Sequence, residues 1–572
     1  MATVQNPILP GFNPDPSICR VGPDYFIATS TFEWYPGVQI HHSTNLVDWY
    51  LITRPLNRAT QLDMRGNPDS CGVWAPSLSY ADGQFWLVYT DVKRFDGNFK
   101  DAHNYIVTAT DITGPWSDPV YVNSSGFDPS LFHDTDGRKW FVNMVWNHRA
   151  DRLGPDPSTS FFGGILCQEY DAATEQLIGD VHSIYDGTDH GGVEAPHLFQ
   201  HDGRYYLSVA EGGTGYLHAV TLARSEHVTG PYETHPHRHV ITSKDHPDAL
   251  LQRAGHGQYV IGPDNNPWFT HLCGRPLSSQ QVCPRGRETG IQKCRWGSDG
   301  WLYLDDGTTD YNPCPQASVP IELPPGASES AIDQSRLYRP GTDREVTFTG
   351  TELPAEFQWL RTPNTSRLFS LTENPQALRL FGRESIGSWF EQSLVARRQE
   401  HSDYRSETSV DFHPTTYQHG AGLVAYYNRH KFHALCITWD EQEGRCLTLI
   451  SCNGDYPECR LTYPLVANLA LPVTLAENGQ QAVPVELAVE VRQTGLQFSQ
   501  RTASKDVDAG DVPWETVGPV LDAGLVSDEG GRGEHASFTG AFVGMFAFDI
   551  TGRATPADVY RFSCRHLPPA SR

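Results

Sequence analysis

Three carboxylates recur at matched places along the chain: Asp15 in NPDPS, Asp128 in GFDPS and Glu194 in VEAPH. Cleaving an acetal with inversion needs such a set. One carboxylate draws a proton from water and a carboxylic acid protonates the departing oxygen. The two lie about 6.5–9.5 Å apart so that the water fits between them. A third carboxylate beside the acid raises its pKa by like-charge repulsion and keeps it protonated near neutral pH. Taken singly, an Asp-Pro pair is an ordinary turn signal. The weight lies in the repeat that carries all three.

Each repeat opens with a small or acidic residue, usually followed by Pro, then a polar and an aliphatic residue, a turn and an aromatic-rich strand. Asp15-Pro-Ser-Ile precedes DYFIATST, Ala75-Pro-Ser-Leu precedes ADG and QFWLVYTD, and Asp128-Pro-Ser-Leu precedes DTDG and RKWFVNMVW. Ala195-Pro-His-Leu precedes HDG and RYYLSVAEGG, and a weaker copy, His256-Gly-Gln-Tyr, precedes PDNN and PWFTHL. Steps from Pro16 to Pro76, Pro129, Pro196 and Gly257 are 60, 53, 67 and 61 residues. Asp-Gly between apolar alternating runs signals a hairpin, and about 40–60 residues make one four-stranded propeller blade. Five copies predict a five-bladed β-propeller over residues 1–312, with unrelated hairpins of a sandwich as the alternative. Propeller geometry would bring Asp15, Asp128 and Glu194 to one axis from blades one, three and four.

Residues 313–334 hold five prolines (313, 315, 320, 324 and 325) and read as a linker or an extended cover strand. From 335 to 572 the pattern is short strands between turns. Val485, Leu487, Val489 and Val491 alternate with Glu486, Ala488 and Glu490, which predicts a strand with one buried face. With SETSVDF, AGLVAYY, FHALCITW, CLTLIS and GAFVGMFAFDI, this predicts a β-sandwich. The fold class is all-β.

Composition removes other classes. With 68 acidic and 43 basic side chains the formal charge is −25, which argues against nucleic acid or an anionic membrane as partner. No apolar run approaches the roughly 18–20 residues of a membrane span. The start, MATVQNPILPGFNPDPS, lacks the charged and apolar regions of a secretory signal, so a cytoplasmic protein is expected. The 12 cysteines contain no C-x-x-C pair and no zinc-type spacing, so reduced, buried thiols and no metal ligand set are expected.

The chain also resembles glycoside hydrolase family 43, in its branch of intracellular-type β-xylosidases. The motifs that carry the resemblance are NPDPS (13–17), TSTFEWYPGVQIHHS (29–43), GNPDSCGVWAPSLSYADG (66–83), GFDPSLFHD (126–134), VEAPHLF (193–199), GRETGIQK (286–293) and FTGAFVG (538–544). They run along nearly its whole length. The resemblance implies Asp15 as general base, Glu194 as general acid, and Asp128 as the residue that orients that acid and lifts its pKa. It gives Arg287 the role of binding the sugar's hydroxyls. His256 would order water beneath the sugar, and in some relatives the matching histidine helps hold a divalent cation such as calcium, although no cofactor is required. The second domain would be concanavalin-like.

Phe32, Trp74 and Trp146 lie in or just after matched motifs and offer flat faces to a pyranose, with core packing as the alternative. By resemblance Phe538, from the second domain, narrows the pocket mouth. A pocket closed at one end makes the enzyme exo-acting. The expected function is inverting release of xylose from the non-reducing ends of β-1,4-xylo-oligosaccharides, with α-L-arabinofuranosidase side activity. A primary arabinofuranosidase is the enzymatic alternative, and a non-catalytic carbohydrate-binding protein the alternative from another class. Members of the branch are often dimers or tetramers.

Overall fold

The structure is a computed structural model that describes residues 2–149, 161–277, 281–327, 330, 332–471, 484–502, 512–531 and 537–568. Among these residues the fold is all-β, its only helices being short 3-10 turns at Gln334–Arg336, Thr365–Arg367 and Ala523–Leu525. Two compact units emerge. The first comprises residues 1–62, 71–275 and 287–340; the second comprises 63–70, 276–286 and 341–572.

Five antiparallel sheets form the blades of the first unit. Their first strands are Ser17–Val21, Gly72–Ala81, Ser130–His133, Glu194–His201 and Gln252–Gly255. Each opens the repeat read from the sequence, and the strands that follow pair outward in chain order. Polar side chains stitch one blade to the next. The Leu78 N–H donates to Ser17 Oγ at 2.9 Å, and Ser17 Oγ donates to Gln258 Oε1 at 2.8 Å. Ser79 Oγ lies 2.9 Å from His133 Nε2, and Ser130 Oγ donates to the Pro196 carbonyl at 2.6 Å. Such buried bonds satisfy groups that would otherwise be costly to desolvate. The proline-rich stretch after Asn312 contains a strand, Ser318–Ile321, paired with Ala2–Gln5 through Val4 and Val319. Val4, Val319 and Ile321 are buried with Trp268 and Ile291 of blade five.

The second unit is a two-sheet sandwich. Its core includes Leu378, Leu423, Leu435, Leu449, Leu487, Val489, Phe498 and Phe562, drawn from both sheets. Strand Val485–Arg492 buries its valines as its alternation predicts, yet Glu486 and Ala488 on the opposite face are buried as well. Arg501 Nε at 2.6 Å and Arg561 Nη2 at 2.9 Å from Glu486 Oε2 make that possible, because the carboxylate is neutralised where it is desolvated. No disulfide links the 12 cysteines, and all except Cys314 and Cys459 are buried.

Residues 63–70 and 276–286 interrupt the propeller sequence but cluster with the sandwich. An ion pair holds the first of them. Arg361, 1 % exposed, donates from Nη2 to Asp69 Oδ1 at 2.8 Å, from Nε to the Asn67 carbonyl at 2.8 Å and from Nη1 to Gln392 Oε1 at 3.0 Å. Arg429 Nε donates to Asp69 Oδ2 at 3.0 Å and stacks on Trp389. Removing one partner of a buried pair strands the other charge, at a cost of about 3–5 kcal/mol. Asp69→Ala should therefore lower the melting temperature by several degrees or more in a thermal scan. An unchanged melting temperature would show that this pair does not hold the segment.

Candidate active site

The opening residue of every repeat has a left-handed backbone. Asp15, Ala75, Asp128, Ala195 and His256 have φ of 57°, 35°, 52°, 53° and 40°. None is glycine, and the first four precede a proline, which ordinarily pushes the preceding residue to extended backbone. Irregular pairing accompanies the strain: ladder register shifts between Trp74 and Ser77, between Glu194 and His197, and between Gln252 and Gly255. A bulge bends the strand and re-aims a side chain. Strain of this kind, of order 1–3 kcal/mol per residue, persists where the surroundings over-determine it and clusters at functional sites. Here it recurs once per blade.

Asp15, Asp128, Glu194, His256 and Arg287 are all buried. Arg287 Nη1 donates to Asp15 Oδ1 at 2.9 Å, and Ser30 Oγ donates to Asp15 Oδ2 at 2.6 Å. His256 Nδ1 lies 3.5 Å from Asp15 Oδ1. Both oxygens of Asp15 thus receive donors. Glu194 is governed by burial. Burial, reinforced by the charge of Asp15, pushes its pKa up to about 7, against the opposing pull of Arg287 and Lys100. Asp128 is pushed well above the carboxylate range by burial and then by the charges of Glu194 and Asp15, while the Ala195 N–H donates to it. Asp15 is thus held as an acceptor, while burial and neighbouring charge raise both Glu194 and Asp128.

Phe32, Trp74 and Trp146 belong to one aromatic run. Ring centroids are 5.7 Å apart for Phe32 and Trp74, 5.5 Å for Trp74 and Phe127, and 6.1 Å for Phe127 and Trp146. Phe32 also lies beneath the Arg287 guanidinium at 5.3 Å. Phe32 and Trp74 are buried and Trp146 is half-buried. Phe538 lies in the second unit, half-buried, its N–H donating to Ser70 Oγ at 3.0 Å.

Sequence reasoning missed Lys100. Its ammonium lies 4.3 Å from the Trp146 ring centroid, 5.3 Å from Phe95 and 5.8 Å from Trp74, and donates to the Phe95 carbonyl at 2.8 Å. Burial pulls its pKa down to about 8. No repeat or motif marks RFDGNFK, so only the folded loop reveals the contact. Ser30 was hidden differently, inside a quoted motif but without an assigned role.

Burial pulls His197, His218 and His256 down to about 3, leaving neutral imidazoles at working pH. Neutral imidazole is the metal-ligating form. Among the described residues, however, no group of three or more His, Cys, Asp or Glu side chains is placed to hold an ion.

Strained backbone at each blade opening, a carboxylate held by two donors near two carboxyls of raised pKa, and an adjoining aromatic wall are features suited to a hydrolytic site of the two-carboxylate kind. The glycosyl hydrolases family 43 model matches residues 4–302, and the β-xylosidase C-terminal concanavalin A-like domain matches residues 345–565. The chain belongs to glycoside hydrolase family 43, an inverting family. It is 51 % identical over 558 residues to xylosidase/arabinosidase 43B of Humicola insolens, covering 97 % of this chain and 96 % of that one. Identity is 44 % over 567 residues with a β-xylosidase of Bacillus subtilis, covering 98 % and 99 %. The crystal structure of xylan β-1,4-xylosidase from Bacillus halodurans C-125 superposes with a TM-score of 0.88 at 45 % identity, covering 98 % of this chain and all of that one.

The pKa of Glu194 has a consequence for stability. An unfolded Glu loses its proton near pH 4.3, whereas in the fold Glu194 keeps it to about 7. Between those values the folded state binds a proton that the unfolded chain has released, so stability falls as pH rises. Across about pH 4.5–7, Glu194→Gln should lose less melting temperature with rising pH than the wild type. Equal slopes would contradict the raised pKa.

Proposed function

We propose that the chain is an exo-acting β-xylosidase that removes xylose from the non-reducing ends of β-1,4-xylo-oligosaccharides with inversion. Asp15 is the general base, Glu194 the general acid, and Asp128 the partner that orients Glu194 and shares its proton. The observation that carries this reading is the contrast in surroundings between Asp15 and Glu194. Two donors at 2.9 and 2.6 Å hold Asp15 as an acceptor, and burial pushes the pKa of Glu194 up to about 7. A general acid is most effective when its pKa lies near the working pH.

Water deprotonated by Asp15 attacks the anomeric carbon from one face while Glu194 protonates the leaving oxygen on the other. Arg287 holds Asp15 in place and donates to sugar hydroxyls; Phe32, Trp74 and Trp146 face the ring. The Lys100 ammonium lowers the proton affinity of Glu194, which eases proton donation. The absence of any disulfide among the 12 cysteines suits work in a reducing compartment.

A second reading, preference for α-L-arabinofuranosides, is raised by the Humicola relative, which is called an arabinosidase as well as a xylosidase. Parallel assays on the aryl glycosides of both sugars separate the two, and a higher kcat/KM on the arabinofuranoside would reverse the assignment.

The roles of acid and base separate by leaving group. An alkyl alcohol, such as the second xylose of xylobiose, needs a proton to leave, and a nitrophenolate does not. Acid assistance supplies about 10²–10⁴-fold in rate. Glu194→Ala should lose at least that much kcat/KM on xylobiose and markedly less on nitrophenyl xyloside, whereas Asp15→Ala should be severely impaired on both. If Asp15→Ala showed the leaving-group dependence instead, the acid and base would be exchanged.

A further inference from the structure

Ser30 follows strand Asp24–Thr29 and is fully buried. Its N–H donates to the Pro14 carbonyl at 3.2 Å, which fixes it against the segment that presents Asp15. Its hydroxyl lies between two blades. Oγ accepts the Ala75 N–H of blade two at 2.8 Å and stands 2.6 Å from Asp15 Oδ2. A hydroxyl has one proton and two lone pairs. Because the Ala75 N–H occupies its acceptor side, the single proton is left to point at Asp15. Ala75 is itself held left-handed at φ 35°, so the direction of that N–H is set by the repeated backbone strain.

We propose that Ser30 is a positioning residue for the base: its hydroxyl, locked as a donor by the blade-two backbone, holds the Asp15 carboxylate aimed. This rests on the reading of Asp15 as base. The other groups facing Asp15 are Arg287, at 2.9 Å from Oδ1, and His256, at 3.5 Å from the same oxygen, with Glu194, Asp128 and His218 coupled to it through space. All of these remain when Ser30 is changed, so a change in the pH profile reports the lost hydroxyl.

The test is the pH dependence of kcat/KM on nitrophenyl xyloside for the wild type, Ser30→Ala, Ser30→Thr and Asp15→Asn. Losing a hydrogen bond to a carboxylate should raise its pKa by about one unit. In Ser30→Ala the acid limb should therefore move up by about one pH unit with the alkaline limb unmoved, and kcat should fall about tenfold with little change in KM. Ser30→Thr, which keeps the hydroxyl, should restore the position of the acid limb. An acid limb in Ser30→Ala that coincides with the wild type's, whatever the loss of rate, overturns the proposal. Should Ser30→Ala not accumulate, Ser30→Cys, a weak donor, carries the same expected shift, and an unmoved limb there overturns it equally. Asp15→Asn separates the two levels. If it retains activity and the acid limb, the reading of Asp15 as base fails; if it is inactive while Ser30→Ala titrates like the wild type, only the role of Ser30 fails.

Discussion

Three carboxylates share a buried site with one closely bound guanidinium, that of Arg287 on Asp15. Desolvation makes each uncompensated negative charge costly, so the protein cannot hold all three ionised without penalty. Arg287 and Ser30 both serve Asp15, whereas burial and neighbouring charge raise the pKa of Asp128 and Glu194. In the proposed assignment, an acid and a base arise from the same kind of functional group through unequal surroundings.

Delivering three acids to one axis requires the propeller. In each blade the opening residue leaves ordinary extended geometry, and in blades two, four and five a break in strand pairing lies at or beside it. Asp15 and Asp128 are themselves the strained residues, while Glu194 immediately precedes the strained Ala195. The cost of five left-handed positions is met by the packing and blade-to-blade hydrogen bonds around them, which is the usual setting for backbone strain at a functional site.

Much of this was legible in the residues. The spacing of the Pro-containing openings marked five blades and aligned Asp15, Asp128 and Glu194, because a repeat period survives in the sequence whatever the tertiary contacts. Strand alternation marked the sandwich, though Glu486 showed that a polar alternate position can be buried when Arg501 and Arg561 neutralise it. What escaped depended on contacts far apart in the chain. Lys100 reaches Trp146 from a loop without a motif. Asp69 is fixed by Arg361, 292 residues away, so nothing local told that residues 63–70 pack with the sandwich. Ser30 was quoted within a motif, but the direction of a hydroxyl proton is set only by its folded neighbours.

The central claim is that water activated by Asp15 attacks the face opposite Glu194 in a single displacement. Following the first-formed sugar by proton NMR during hydrolysis of a β-xyloside, before mutarotation, tests this most directly. The account predicts that α-xylose appears first and β-xylose only as the anomers equilibrate. Initial release of β-xylose would contradict it, since that outcome requires a covalent glycosyl-enzyme intermediate and a nucleophilic carboxylate.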